Sequence, residues 1–199
     1  MIRRHDVRTL QVSAWKNGDG GTREIVRVPA DAGFDDFDWR ASIATIAASG
    51  RFSEFPGVDR TIVLLDGGGV HLRSGASASV DHRLDTPLAP FAFVGDIALD
   101  ATLVAGASTD FNVMVRRDRC RADVRVLRAA AKLPESVAGV LHVVAGCWSL
   151  ANDGGGATAT LDAGEGLAWH DVRAAWMATP SSDAGDAALL FAGIEPVPR

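Results

Sequence analysis

Tyrosine is absent from this 199-residue chain, lysine occurs only at Lys16 and Lys132, and cysteine only at Cys120 and Cys147. Two thiols outside any C-x-x-C spacing exclude a disulfide framework and a zinc ribbon and read as reduced side chains. No window of about 18 apolar residues is present, and the basic start Met1–Arg8 is not followed by the apolar run of a signal peptide. The expectation is a soluble, cytoplasmic protein. Surplus positive charge is also missing: 25 acidic against 20 basic residues give a net charge of −5. That balance argues against nucleic acid or an anionic membrane as partner and leaves a small ligand or another protein. Because nearly every cation is arginine, an arginine at a site says less than usual about a need for its geometry, and position must carry the case.

Helical periodicity is equally scarce. Apolar residues alternate with period two along Thr22–Val28, Asp38–Ala47, Thr61–Leu65, Ala76–Arg83, Ala98–Val104, Asp110–Arg116, Arg121–Leu127, Val140–Ala145, Ala157–Leu161, Leu167–Val172 and Ala187–Phe191. Gly, Asp, Asn and Pro clusters separate these runs, so about eleven short strands of a sandwich or barrel are expected. Only the Ala- and Arg-rich Leu127–Leu133 suggests a helix, and Val124 and Val126 just before it argue for strand. Asn152–Gly156 reads as a hairpin turn. Leu65–Leu72 and Val143–Leu150 echo each other at an offset of 78 residues. Two copies of one β-module, spanning 1–118 and 119–199, explain the echo. Exchange of a strand between the copies is left open.

Four segments carry candidate chemistry. In cupin barrels a metal site is commonly written His-x-His, four residues, Glu, six residues, Gly. Here Ser53, Phe55, Arg60 and Gly67 stand at that spacing. Phe cannot ligate and Arg is a permanent cation, so no metal and no other cofactor is expected, and Arg60 becomes a donor to an anion such as a carboxylate. The competing reading has Arg60 closing a turn through Asp59 or Glu54. On the strand Trp39–Ile46, Arg40 and Ser42 share a face with Ala44 and Ile46, as a polar pair at the mouth of an apolar interior would. On Asp110–Arg116 the face Asp110, Asn112, Met114, Arg116 suits a pocket wall or, read alone, a wet sheet surface. The loop Trp15–Gly21 lacks the ending of a phosphate-binding loop, and Thr22 and Glu24 after it share a face from which Glu24 can pair with Arg40. His5, His71, His82, His142 and His170 lie at no metal spacing and read as structural.

Together Trp15-Lys16-Asn17-Gly18, Thr22-Arg23-Glu24-Ile25, Trp39-Arg40-x-Ser42, Gly50-x-Phe52-Ser53-x-Phe55-Pro56-Gly57-x-Asp59-Arg60, Phe93-x-Gly95-Asp96 and Asp110-Phe111-Asn112-x-Met114 resemble the HutD/Ves family. The likeness is specific over residues 15–117 and general beyond; Asp19 departs from the small residue usual between the glycines. The resemblance implies an all-β fold of two cupin (RmlC-like jelly-roll) barrels with little helix. It also implies a bacterial protein that modulates histidine utilisation by binding a small pathway intermediate rather than by catalysing a step. It places Thr22, Glu24, Arg40, Ser42, Arg60, Asp96 and Asn112 at the ligand site. Arg40 and Arg60 are then expected to hold the carboxylate of a metabolite such as urocanate or formylglutamate, with Glu24 or Asp96 partly neutralising them. A metal-independent isomerase or epimerase using Glu24 or His82 as base is the alternative, and a protein-binding regulator the third. A homodimer is compatible with each.

Overall fold

A computed structural model describes residues 1–15, 18–75, 80–153, 158–181 and 186–198. Parts of the expected Ala76–Arg83 strand and of the Asn152–Gly156 turn, and Lys16 and Asn17 of the glycine loop, lie outside these residues. The chain forms two compact units, Gln11–Arg119 and a second unit made of Met1–Leu10 with Cys120–Arg199. Strands, numbered along the chain, are the only regular elements among the described residues, so Leu127–Leu133 is not helical. Strand β12 (Cys120–Leu127) and the short β13 (Ala131–Lys132) take that region instead. Val124 and Val126 set its conformation, since branched side chains fit a pleated surface better than a helix.

In the Gln11–Arg119 unit, one sheet has the order β2 (Val12–Ala14), β3 (Gly20–Val28), β4 (Trp39–Ile46), β11 (Ser108–Arg116), β6 (Val58–Gly67), β9 (Pro90–Val94). The other runs β5 (Gly50–Phe52), β10 (Leu99–Leu103), β7 (Val70–Ser74), β8 (Asp81–Leu84). All pairings are antiparallel. Ile46, Ile62, Leu64 and Phe93 of the first sheet pack with Val70, Leu72, Leu84, Leu99 and Ala101 of the second. At the β8 and β9 edges, His82 stacks on Phe91 with ring centroids 3.6 Å apart. Closed barrels are therefore not formed: both sheets are open, and this edge is bridged by side chains rather than by backbone hydrogen bonds.

The second unit repeats the plan. One sheet runs β1 (Ile2–Asp6), β17 (Glu165–Trp169), β14 (Ala138–Ala145), β19 (Ala188–Pro196), β12. The other runs β13, β18 (Trp176–Pro180), β15 (Cys147–Asn152), β16 (Thr158–Asp162). The order β4-β11-β6-β9 matches β12-β19-β14-β17, and β5-β10-β7-β8 matches β13-β18-β15-β16. The offset of 78 puts Leu72 of β7 on Leu150 of β15, both fully buried. Residues Ile2–Asp6 pair antiparallel with β17, which is why the first ten residues group with the C-terminal half.

Candidate functional site

In antiparallel sheets, directly opposed residues share a face. Register in the Gln11–Arg119 unit thus builds three rows on the face turned to its smaller sheet. Arg40, Met114, Arg60 and Phe93 form the first; Glu24, Ser42, Asn112 and Ile62 the second; Thr22, Ala44, Asp110 and Leu64 the third. The sequence alternation on four separate strands, β3, β4, β6 and β11, is what aligns them. Six of the seven candidate residues come together in this way, and the seventh, Asp96, does not. Asp96 follows β9, accepts the Gly57 N–H at 2.9 Å and pairs with Arg117, with its side chain 40% exposed. It braces the turn at Gly57, whose φ of +76° suits glycine, and neutralises neither Arg40 nor Arg60.

Arg40 is buried, and its Nε donates to Glu24 Oε2 at 2.6 Å. Arg27, opposite Arg40 across the strands, donates from Nη2 to the other oxygen of Glu24 at 3.0 Å. One carboxylate thus holds two guanidinium groups that would otherwise repel. A β-bulge between Glu24 and Val26 allows both Glu24 and Arg27 to meet Arg40. Phe34, on the loop before β4 and more than half exposed, lies 5.0 Å from the Arg40 guanidinium.

Arg60 has no such counter-ion among the described residues. It is 7% exposed, and its guanidinium lies 5.0 to 5.4 Å from the ring centres of Phe52, Phe55 and Phe93. Nη1 donates to the Ser53 carbonyl at 3.3 Å, while Nε is buried without a partner. Burial, reinforced by the like charge of Arg40, pulls its pKa down to about 10. The turn-closing role does not hold, because Asp59 pairs with Arg117 at 2.9 Å and Glu54 with Arg51 at 3.9 Å. Three π faces offset the cost of burying this cation without forming any hydrogen bond to it, and apart from the Nη1 bond to Ser53 they leave its donors unspent.

The face of β11 is not a wet surface: Asp110, Asn112 and Met114 are 2%, 9% and 1% exposed. Asp110, read from sequence as sharing this face but not counted among the ligand-site residues, is buried on it with Asn112. The Ser108 hydroxyl donates to Oδ1 of Asp110 at 3.0 Å, its Oδ2 is buried without a partner, and burial raises its pKa to about 6. Asn112 Oδ1 is likewise buried and unpartnered. Alternation already showed that Asp110 and Asn112 point the same way; it does not say whether that side faces water. Ser42 is buried beside them, and Thr22 is engaged, its hydroxyl accepting Trp15 Nε1–H at 2.8 Å.

The histidines divide. His71 pairs with Asp81 at 2.6 Å on exposed surface, a histidine–carboxylate contact that sequence separation hid, and His82 is held by its stack on Phe91. A metal does not fit the spacing motif: Phe55 and the Arg60 guanidinium occupy two of its ligand positions, in contact with each other. Among the described residues, no group of three or more His, Cys, Asp or Glu is arranged to hold a metal ion.

The matching rows of the second unit are filled. Counting from the irregularity in each long strand, Arg60 and Met114 correspond to Gly139 and Gly193, Asn112 to Phe191, and Asp110 to Leu189. A Cβ on Gly139 would come within 2.6 Å of the Trp169 ring, which packs against Trp176 and Phe191. The interior there is aromatic. A groove of about 690 Å³ on the second unit is lined by charges that pair with one another, Lys132 with Asp153 at 2.5 Å and Arg173 with Glu135 at 3.7 Å.

Comparison with known proteins gives a consistent picture. The family model for HutD matches residues 6–188. Protein Ves of Citrobacter koseri is 46% identical over 169 residues, covering 84% of this chain and 83% of that protein. Protein Ves of Escherichia fergusonii is 41% identical over the same length and coverage. HutD from Pseudomonas fluorescens SBW25, in a formate condition, superposes with a TM-score of 0.80 at 27% identity over the full length of both chains. A conserved protein of unknown function from Pseudomonas aeruginosa PAO1 reaches 0.84 at 30% identity, covering 98% of this chain and 99% of its own. Oxalate decarboxylase from Lactobacillus farciminis, at 9% identity and TM-score 0.63, covers 98% of this chain and 86% of its own and shares the cupin fold alone.

Proposed function

The chain belongs to the HutD family, and from that premise we propose that it is a non-enzymatic cupin protein of bacterial histidine utilisation that binds a small carboxylate intermediate. One observation carries the reading: Arg60 is buried in an aromatic cage with no carboxylate paired to it and a free Nε donor. A buried cation without a counter-ion is costly, and an incoming carboxylate supplies both the charge and the planar acceptor pair that a guanidinium matches. Glu24 is already committed to Arg40 and Arg27, so Arg60 is the primary anchor and Arg40 a supporting charge. Ser42, Thr22 and Asn112 provide the remaining polar contacts. Each unit is read as one cupin module, in support of which the strand order repeats, and the ligand is placed in the Gln11–Arg119 module, in the cytoplasm. Urocanate and formylglutamate are the candidate ligands.

Thermal unfolding tests this reading. A ligand at about 100 times its Kd stabilises by roughly 2.7 kcal/mol, which is about 5–11 °C for a chain of this size. Urocanate or formylglutamate should raise the melting temperature in this way while the methyl esters do not. Absence of a shift with every carboxylate would remove the proposal.

A further inference from the structure

Arg60 is not the only buried group left unsatisfied on this face. Asp110 Oδ2 and Asn112 Oδ1 are also unpartnered, and they sit at successive inward positions of one strand. The neighbours that face them give little relief. Ala44 on β4 and Leu64 and Ile62 on β6 are apolar, as are Val70, Leu72, Leu84, Leu99 and Ala101 of the opposing sheet, and the Ser42 hydroxyl opposite Asn112 bonds to neither orphaned oxygen. The charged groups on the face are Glu24, Arg40 and Arg60; Glu24 is bound to Arg40 and Arg27. The Ser108 hydroxyl reaches only Oδ1 of Asp110. An ionised carboxylate offers acceptors and no donor, so what Asp110 lacks is an N–H or O–H from outside the protein.

We infer that Asp110, with Asn112 beside it, binds an N–H donor at the far end of the ligand whose carboxylate Arg60 holds, so that the ligand is a short carboxylate bearing an amide or similar N–H. This rests on the carboxylate reading of Arg60. Length follows from the register. Asp110 lies four residues along β11 from Met114, the partner of Arg60, which is about 13 Å of strand. An ion pair at one end and a hydrogen bond of about 3 Å at the other leave roughly 6 Å, a spacer of a few carbon atoms. The pKa of Asp110, raised by burial to about 6, has it mostly ionised and accepting above neutrality. A group kept buried, unpaired and raised in pKa destabilises the empty fold, which marks it as serving binding rather than packing.

The test is calorimetric titration of the full chain at pH 7.5 with acetate, 4-acetamidobutyrate and 4-acetoxybutyrate, the last two differing only in N–H against O. The amide should bind at least tenfold more tightly than the ester, because the ester places an oxygen against Asp110 and leaves it unpaired. In Asp110→Leu that preference should fall to within twofold while acetate binding is retained. Equal affinity of amide and ester for the unaltered chain overturns the inference and leaves the carboxylate reading intact. So does binding of acetate with neither longer probe, or an amide preference that survives in Asp110→Leu. Failure of all three probes to bind overturns the carboxylate reading itself. The comparison on the unaltered chain decides the question even if the variant does not fold.

Discussion

Arg60 and Asp110 illustrate opposite ways of burying a charge. Arg60 stays charged and is compensated by three phenyl faces, whereas Asp110 is pushed toward its neutral form. Replacing an ion that is buried without a counter-ion by an apolar group of similar size removes its desolvation cost. Arg60→Met should therefore melt no lower than the unaltered protein yet bind no carboxylate, as differential scanning calorimetry and a binding titration would show. Asp110 gives a pH signature. Its folded pKa, about 6, lies above the ordinary value of 3.8, so its neutral form favours the fold. The associated stability is present below about pH 4 and is lost as pH rises through 6, a change of roughly 2–3 kcal/mol. Asp110→Asn should abolish that loss, making the variant more stable at pH 8 and little different at pH 4. At this scale the sequence was informative about direction and silent about depth. Arg40 with Ser42, and Asp110 with Asn112, were visibly on shared faces, but alternation reads the same for a wet face and a buried one. Asp96, the last residue of the motif Phe93-x-Gly95-Asp96, belongs to a turn, and nothing in the one-dimensional pattern separates a brace from a ligand.

Among the elements, β1 is fixed by a close fit rather than by length. His5 and His142 flank Gly166 in register, and their rings stack at 5.6 Å. A Cβ at Gly166 would meet the His5 ring at 2.3 Å and the Leu141 carbonyl at 2.2 Å. Gly166→Ala should therefore cost about 1–3 kcal/mol and lower the melting temperature by several degrees. Burial lowers the pKa of His5 to about 4, helped by Arg3 and opposed by Asp6. Burial likewise lowers His142 to about 3, helped by His5 and opposed by Asp6. Both histidines are neutral in the fold, so their contribution is complete above pH 6.5 and is lost as pH falls toward 4. Relative to the intrinsic exchange rate, which itself slows on acidification, hydrogen-exchange protection of Ile2–Asp6 should fall between pH 7 and pH 4.5, and His142→Leu should flatten the response. The strands themselves were largely legible because period two is a local property. The pairing of Ile2–Asp6 with β17 was not, since it joins segments about 160 residues apart that share no motif.

For the whole molecule, the repeat seen as a short glycine-containing echo is one β-sheet plan used twice, with only one copy keeping a polar interior. Gly139 and Gly193 stand where Arg60 and Met114 stand in the other unit, with the Trp169 ring against Gly139 and the Phe191 ring against Gly193. The motifs concentrated in residues 15–117 are the sequence-level trace of that asymmetry, since an interior filled by Trp and Phe needs only size and apolarity. The net acidic chain and a buried, unpaired Arg60 are compatible, because surface charge acts through screened solvent while Arg60 does not. The account therefore predicts one ligand per chain. Isothermal titration of the intact protein with formylglutamate and urocanate, alongside Arg60→Met, tests it most directly. Saturable binding of at least one of them at a stoichiometry of one, abolished in Arg60→Met while that variant remains folded, is the predicted result; two sites per chain, or affinity unchanged in Arg60→Met, would contradict it.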